Sequence, residues 1–143
     1  MRLVNFHADD GVRIGVVNGD DVIDLTSVDA GAPRDIQAVI ADDAFKAVQS
    51  IADKATDADM RKFDSLSFAL PVSSPGKILC LGLNYMEHVN EGIFEKQPFP
   101  TVFMRTATSM IAHNEPLIRP SVSETLDFEA ELALIVGKRS RHL

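Results

Sequence analysis

Apolar and polar positions alternate along residues 2–28, and turn residues separate the alternating runs. Arg2–His7 is followed by Asp9-Asp10-Gly11, and Val12–Val17 is followed by Asn18-Gly19, a dipeptide typical of tight hairpin turns. A third short apolar run comes next. This part of the chain is therefore predicted to form a β-meander.

A helical period replaces the alternation in residues 33–62. Pro33 suits the first position of a helix, ahead of Ile36. In a second helix, Phe45 and Val48 begin an apolar stripe with the spacing of an amphipathic helix. The pattern predicts two helices after the meander, followed by a short strand at 66–70.

A rigid polar stretch, Pro71–Gly76, separates two parts of the chain. Proline and glycine at this density are typical of a linker. The predicted organisation is a meander with helices over 1–70, a linker at 71–76 and a second domain over 77–143.

The segment Leu126–Lys138 is predicted to be the central strand of that second domain. Its first half alternates between acidic and apolar residues, whereas Leu132–Val136 is continuously apolar, as in a strand that is covered on both faces.

Two acids of this predicted strand, Glu129 and Glu131, would share one face. Side chains two residues apart on a strand lie about 6.5–7 Å apart. Carboxylates beside a buried run are costly unless they are paired, and a divalent cation with a preference for oxygen ligands would pair them. The alternative is an exposed edge strand whose polar face carries acids.

A second group of polar residues follows the apolar strand predicted at Lys77–Leu83. Asn84 is predicted to cap a short helix on which His88 and Glu91, three residues apart, face the same side. A carboxylate beside an imidazole orients the ring and raises its basicity. The pair is therefore a candidate general base.

Composition narrows the classes of protein that the chain could be. Its 143 residues are 45% hydrophobic and 24% charged, as in a globular protein, and the formal net charge is −7. An acidic chain repels nucleic acid and anionic membranes. It has no apolar run of the roughly 18 residues that a membrane span needs, and its N-terminus lacks the apolar core of a signal peptide. We expect a cytoplasmic protein that binds neither nucleic acid nor membrane.

The motifs together resemble the fumarylacetoacetate hydrolase (FAH) family. They run in the order K-I-L-C-L-G-L-N-Y-x-x-H-x-x-E, then P-x-P-x-V-F, then P-x-S-x-x-L-D-F-E-A-E-L-A-L-I-V-G-K. More narrowly, the chain resembles the bacterial branch of 2-hydroxyhepta-2,4-diene-1,7-dioate isomerases and 5-carboxymethyl-2-hydroxymuconate isomerases.

The resemblance implies a fold and a set of site residues. The fold would be α+β, with a small N-terminal β/α module followed by the first part of an FAH-type mixed β-roll, in a homodimer. Glu129 and Glu131 would bind Mg²⁺ or Mn²⁺, and His88, supported by Glu91, would act as the general base. Arg105, where the family commonly has Lys, and Tyr85 would contact the substrate, and residues 91–96 resemble a lid over it.

The resemblance also implies the chemistry. The expected function is metal-dependent hydrolysis or isomerisation of 2-keto or 2,4-diketo acids, meaning acylpyruvate C–C cleavage or hydroxymuconate-type isomerisation through a metal-bound enolate. One alternative is an oxaloacetate-type decarboxylase or another lyase on the same fold. Another is an inactive fragment, because the family continues beyond this length and carries a further metal-binding carboxylate there. We expect the chain to be a truncated piece of a longer protein.

Overall fold

The structure, a computed structural model, describes residues 1–91 and 98–142. Its contacts divide the chain into two compact units. One unit comprises Met1–Val72 and Ile111–Leu143, and the other comprises Ser73–Met110. These contacts group the C-terminal segment with the N-terminal residues. The division of the chain at 71–76 into two consecutive domains stays a prediction.

A five-stranded antiparallel sheet forms the centre of the first unit. Its strands are β1 (Leu3–Ala8), β2 (Gly11–Asn18), β3 (Asp21–Asp24), β4 (Met60–Lys62) and β5 (Phe68–Ala69). Their order in the sheet is β4-β3-β2-β1-β5. The predicted meander is confirmed, because β1, β2 and β3 pair consecutively through two tight hairpins.

The second hairpin shows why its turn residues matter. Asn18 pairs with Asp21, so the two loop residues are Gly19 and Asp20, one position later than the dipeptide suggested. Gly19 takes a positive φ of 60°. A type II′ turn requires such a φ at its first central position, and its twist matches that of the two strands.

Three helices pack on this sheet, and two of them were predicted. They are α1 (Leu25–Val28), α2 (Ile36–Ala41) and α3 (Phe45–Ala52). Asp35 caps α2 by accepting a hydrogen bond from the Ala38 backbone N–H at 2.7 Å. The helical pattern was wrong beyond α3, because residues 60–62 pair with β3 as an edge strand instead.

The core lies between the sheet and these helices. Its buried members come from both layers, namely Ile14, Val16, Ile23, Leu25, Ala32, Ile36, Val39, Val48 and Ala52. Buried Asn5 joins three segments around this core. Its Nδ2 donates to the carbonyl oxygens of Leu70 and Pro71, and its Oδ1 accepts from the Ile36 N–H. The amide is thus fully used, as a buried polar group must be.

The described residues of the second unit form two paired strands, one α-helix and a short 3-10 helix at Ala107–Ser109. The strands and the α-helix are β6 (Ile78–Gly82), α4 (Met86–Glu91) and β7 (Thr101–Arg105). The strands are antiparallel, with Ile78 opposite Arg105 and Gly82 opposite Thr101. The mixed α+β class is therefore confirmed, with antiparallel pairing throughout both sheets of the described residues.

The predicted central strand at Leu126–Lys138 is wrong for this structure. None of these residues belongs to a strand, and the apolar run expected to be buried is exposed, with Leu132 at 78% and Leu134 at 86%. A strand is stable only when its backbone groups bond to a neighbour. Neither sheet of the described residues pairs with this segment, although Lys138 forms an ion pair with Asp43 of the same unit at 3.3 Å.

Throughout residues 1–91 and 98–142, no helix combines the length and the apolar character needed to cross a bilayer.

Candidate active site

The helix α4 carries the two residues of the candidate general base. His88 and Glu91 lie three residues apart within it, so their side chains project from the same face. The imidazole is half-buried and the carboxylate is exposed. The next residue of the helix, Val89, is buried, so α4 turns one side inward while His88 keeps access to solvent.

The start of α4 differs from the prediction by one residue. The helix begins at Met86, and its first backbone bond runs from the Val89 N–H to the Tyr85 carbonyl oxygen at 3.1 Å. Tyr85, not Asn84, therefore holds the capping position, because the cap residue is the one whose carbonyl accepts the first helical bond. Leu83 makes the sharp turn out of β6 with a φ of 53°.

The register of the strand pair places Arg105 away from that turn. Arg105 lies opposite Ile78 at one end of the pair, whereas Gly82, which leads into α4, lies at the other. Four residue steps of antiparallel strand amount to about 13–14 Å. Tyr85 follows the Gly82 end of the strand pair, whereas Arg105 lies at its other end. The Tyr85 side chain is 41% exposed.

The two candidate metal ligands lie in irregular backbone. Glu129 and Glu131 are both exposed, and they belong to the unit that contains Ile111–Leu143, not to the unit of His88. Their donor type fits Mg²⁺ or Mn²⁺, which prefer carboxylate oxygens. Within the described part of the chain, however, no group of three or more His, Cys, Asp or Glu side chains is arranged to hold a metal ion.

The segment that resembled a lid is only partly described. Glu91 is the last residue of α4, and residues 92–97 lie outside the described residues.

A buried carboxylate in the N-terminal unit was not singled out from the sequence. Asp24 has no exposed surface, and its Oδ2 accepts hydrogen bonds from Arg13 Nη1 and Arg61 Nε, each at 2.8 Å. Its Oδ1 caps α1 by accepting from the N–H groups of Thr26 and Ser27. The sequence signal was an aspartate directly after the apolar pair of β3, where a helix begins.

Asp10 extends this cluster at the surface. It accepts hydrogen bonds from Arg13 Nε at 2.8 Å and Arg34 Nη1 at 2.9 Å. These bonds lower the pKa of the Asp10 carboxyl from 3.8 to about 2, and the bonds to Asp10 and Asp24 raise the pKa of Arg13. Three arginines and two aspartates are thus joined in one network.

Comparison with known families and proteins links the second part of the chain to enzymes. Residues 77–143 match the family described as "Fumarylacetoacetate (FAA) hydrolase C-terminal". The matched region contains all six candidate site residues: Tyr85, His88, Glu91, Arg105, Glu129 and Glu131.

Curated proteins that align with all or most of the chain are also similar to it. The chain is 30% identical over 149 residues to the mitochondrial oxaloacetate tautomerase FAHD2B of Homo sapiens, covering 100% of this chain and 47% of the relative. It is 28% identical to the fumarylacetoacetate hydrolase domain-containing protein 2 homolog of Dictyostelium discoideum, covering 92% of this chain and 43% of the relative. The chain spans about half the length of the curated relatives it matches.

A solved structure supports the fold. A crystal structure from Mycobacterium smegmatis, assigned as an HpcE protein, matches with a TM-score of 0.55 and 27% identity. The match covers 76% of this chain and 37% of that one.

Proposed function

We propose that the protein, whose residues 77–143 match the fumarylacetoacetate hydrolase family, is a member of that family and a divalent-metal-dependent hydrolase or isomerase of 2-keto or 2,4-diketo acids. The observation that carries this proposal is the placement of His88 and Glu91 one turn apart on α4, inside the matched region. A half-buried imidazole with a carboxylate on the same helical face is suited to moving a proton to or from carbon or water.

His88 is proposed to act on the proton, and Glu91 to orient the ring. Proton abstraction next to a keto group generates negative charge on the keto oxygen, and the catalytic problem is to stabilise that charge. Glu129 and Glu131 are the proposed metal ligands, on the basis of their donor type and their place in the family motif. The chemistry that a bound Mg²⁺ or Mn²⁺ supplies is Lewis-acid polarisation of the keto oxygen.

Arg105 and Tyr85 are proposed to bind the substrate. A guanidinium can bind a substrate carboxylate through two parallel hydrogen bonds, which a lysine at the same position cannot do. The strand register constrains this role, because Arg105 leaves β7 at the end away from α4. We infer that Arg105 holds the carboxylate remote from the reacting carbon.

Oxaloacetate chemistry is the second candidate. The relatives that align with the whole chain include oxaloacetate tautomerases, and tautomerisation is a proton transfer that the same base could perform. A decarboxylase or another lyase would also develop charge on the same keto oxygen, so the residues on α4 serve each of these reactions.

Three substrates separate these candidates. The purified protein is assayed with an acylpyruvate, with a 2-hydroxymuconate-type diene and with the enol form of oxaloacetate, each with Mg²⁺ and after removal of the metal. We expect metal-dependent turnover of one of them that is lost in His88→Ala. Undiminished turnover without metal contradicts the metal-dependent mechanism, and no turnover of any of the three by the folded chain favours the alternative of an inactive fragment.

The remaining expectations concern the cell and the assembly. We propose a homodimer, as the resemblance implies, and sedimentation velocity at micromolar concentration tests it. The cytoplasmic location stays a prediction. The expectation that the protein binds neither nucleic acid nor membrane also stays a prediction.

A further inference from the structure

A cavity of about 440 Å³ lies in the N-terminal unit, and none of the six candidate site residues lines it. It opens beside β1, β2 and β4, and the residues on its wall include His7, Asp9, Arg13, Arg61 and Ser65. The volume falls within the range that small-molecule sites usually have. The cavity is thus large enough for a compact ligand.

The charge of the wall differs in sign from that of the protein. Two arginines and one aspartate, Asp9, line the cavity, whereas the carboxylates that pair with those arginines, Asp10 and Asp24, do not. The wall therefore carries a formal excess of positive charge in a chain whose formal net charge is −7. Asp10 and Asp24 lie 2.8 Å from these guanidinium groups and reduce the excess, so an anion would be held chiefly by the N–H donors that the two aspartates leave unused.

The two guanidinium groups are held in place before any ligand arrives. Arg13 and Arg61 both donate to Oδ2 of the fully buried Asp24 at 2.8 Å. Each guanidinium has five N–H donors, so these bonds leave further donors for a ligand. Groups that are already ordered cost less entropy to use in binding, and arginine suits carboxylate and phosphate oxygens.

The rest of the wall adds polar and apolar surface. His7 and Ser65 bring a ring nitrogen and a hydroxyl group, and half-buried Met60 and Leu66 form an apolar part. A bare inorganic anion would leave the apolar part uncovered, whereas a short hydrocarbon body would cover it.

We propose that this cavity binds a small organic anion, with a carboxylate or phosphate group against Arg13 and Arg61 and a short apolar body against Met60 and Leu66. None of the residues on its wall is assigned to the proposed reaction, and the two proposals are therefore tested independently.

Calorimetric titration and ¹H–¹⁵N spectra test the proposal at constant ionic strength, with glutarate, butyl phosphate and inorganic phosphate as probes. Arg61→Gln removes one guanidinium and leaves Asp24 its bonds to Arg13 and to the backbone. His7→Glu places a negative charge on the wall at an exposed position, where the new side chain meets no buried packing. Lys62→Gln is the matched control, since it removes one positive charge next to Arg61 without touching the wall.

We expect saturable binding of glutarate or butyl phosphate, with shifts of the Arg13 and Arg61 Nε–H signals. Arg61→Gln and His7→Glu should each weaken it by about tenfold or more, the loss expected when a charge-assisted hydrogen bond or its field is removed. Lys62→Gln should leave it unchanged. Equal weakening by Lys62→Gln, no saturable binding of either organic anion, or saturable binding of inorganic phosphate alone would each overturn the assignment.

Discussion

Asp24 and Arg61, 37 residues apart in the chain, form an ion pair in which Nε and Nη2 of the guanidinium each lie 2.8 Å from the one carboxylate oxygen Oδ2. The carboxylate has no exposed surface, whereas the Arg61 side chain is 44% exposed. Because Arg13 donates to the same oxygen, the pair ties the edge strand β4 to β2 and to the start of α1. A short edge strand of three residues thereby gains an anchor that backbone pairing alone would not supply.

We predict that Asp24→Asn destabilises the N-terminal unit by about 3 kcal/mol, because it removes a buried charge from two arginines while an asparagine can still cap α1. Asp24→Ala should cost about 1 kcal/mol more, since it also removes the cap. Urea unfolding monitored by circular dichroism measures both. Asp21→Asn is the control, because Asp21 pairs with Lys62 at the surface, where such pairs contribute at most about 1 kcal/mol. Equal losses in Asp24→Asn and Asp21→Asn would contradict the prediction.

The lowered pKa of Asp10 predicts a pH dependence of stability. The carboxyl titrates near 2 in the folded protein and near 3.8 in the unfolded chain, so between these values the unfolded chain binds more protons. Stability from this group is therefore present above about pH 4 and is lost as the pH falls towards 2. Urea unfolding at a series of pH values across this window should show a weaker dependence for Asp10→Asn than for the wild type. Asp64→Asn, an exposed carboxylate elsewhere in the unit, should keep the wild-type dependence.

His88→Ala is predicted to lower kcat by roughly 10²–10⁴-fold, the usual loss when a general base is removed. Glu91→Ala should lower kcat less, because that carboxylate only orients the ring. Glu87→Ala is the matched control, as it removes another acid of α4 outside the proposed pair. The measurement is steady-state kinetics on the substrate that the panel identifies, with circular dichroism to verify folding. Wild-type kcat in folded His88→Ala would refute the role.

Metal binding can be tested without any assay of turnover. Glu129→Gln and Glu131→Gln should each weaken Mn²⁺ binding by about tenfold or more, because each removes an anionic oxygen ligand of a hard cation. Titration followed by electron paramagnetic resonance of free Mn²⁺ provides the affinity. Glu124→Gln removes an exposed acid of the same segment and should leave the affinity unchanged. If all three variants bind Mn²⁺ as the wild type does, the two glutamates are not its ligands.

Local signals in the sequence determined much of the first unit. The hairpins of β1, β2 and β3 were predictable because turn residues and strand alternation act over two to six neighbouring positions, and the positive φ of Gly19 is a local requirement. The helices α2 and α3 and the pair of His88 and Glu91 were predictable for the same reason, since residues three and four apart on a helix are neighbours by geometry alone.

Only the tertiary structure decided the relationships between distant segments. The pairing of residues 60–62 with β3, the burial of Asp24 between two arginines and the cavity beside them depend on which strands become neighbours. The segment of Glu129 and Glu131 was wrongly predicted as a strand because that pairing is also not a local property. Its alternation and apolar run suit a strand, yet a strand exists only where a second backbone supplies hydrogen bonds, and no strand of the described residues does so here.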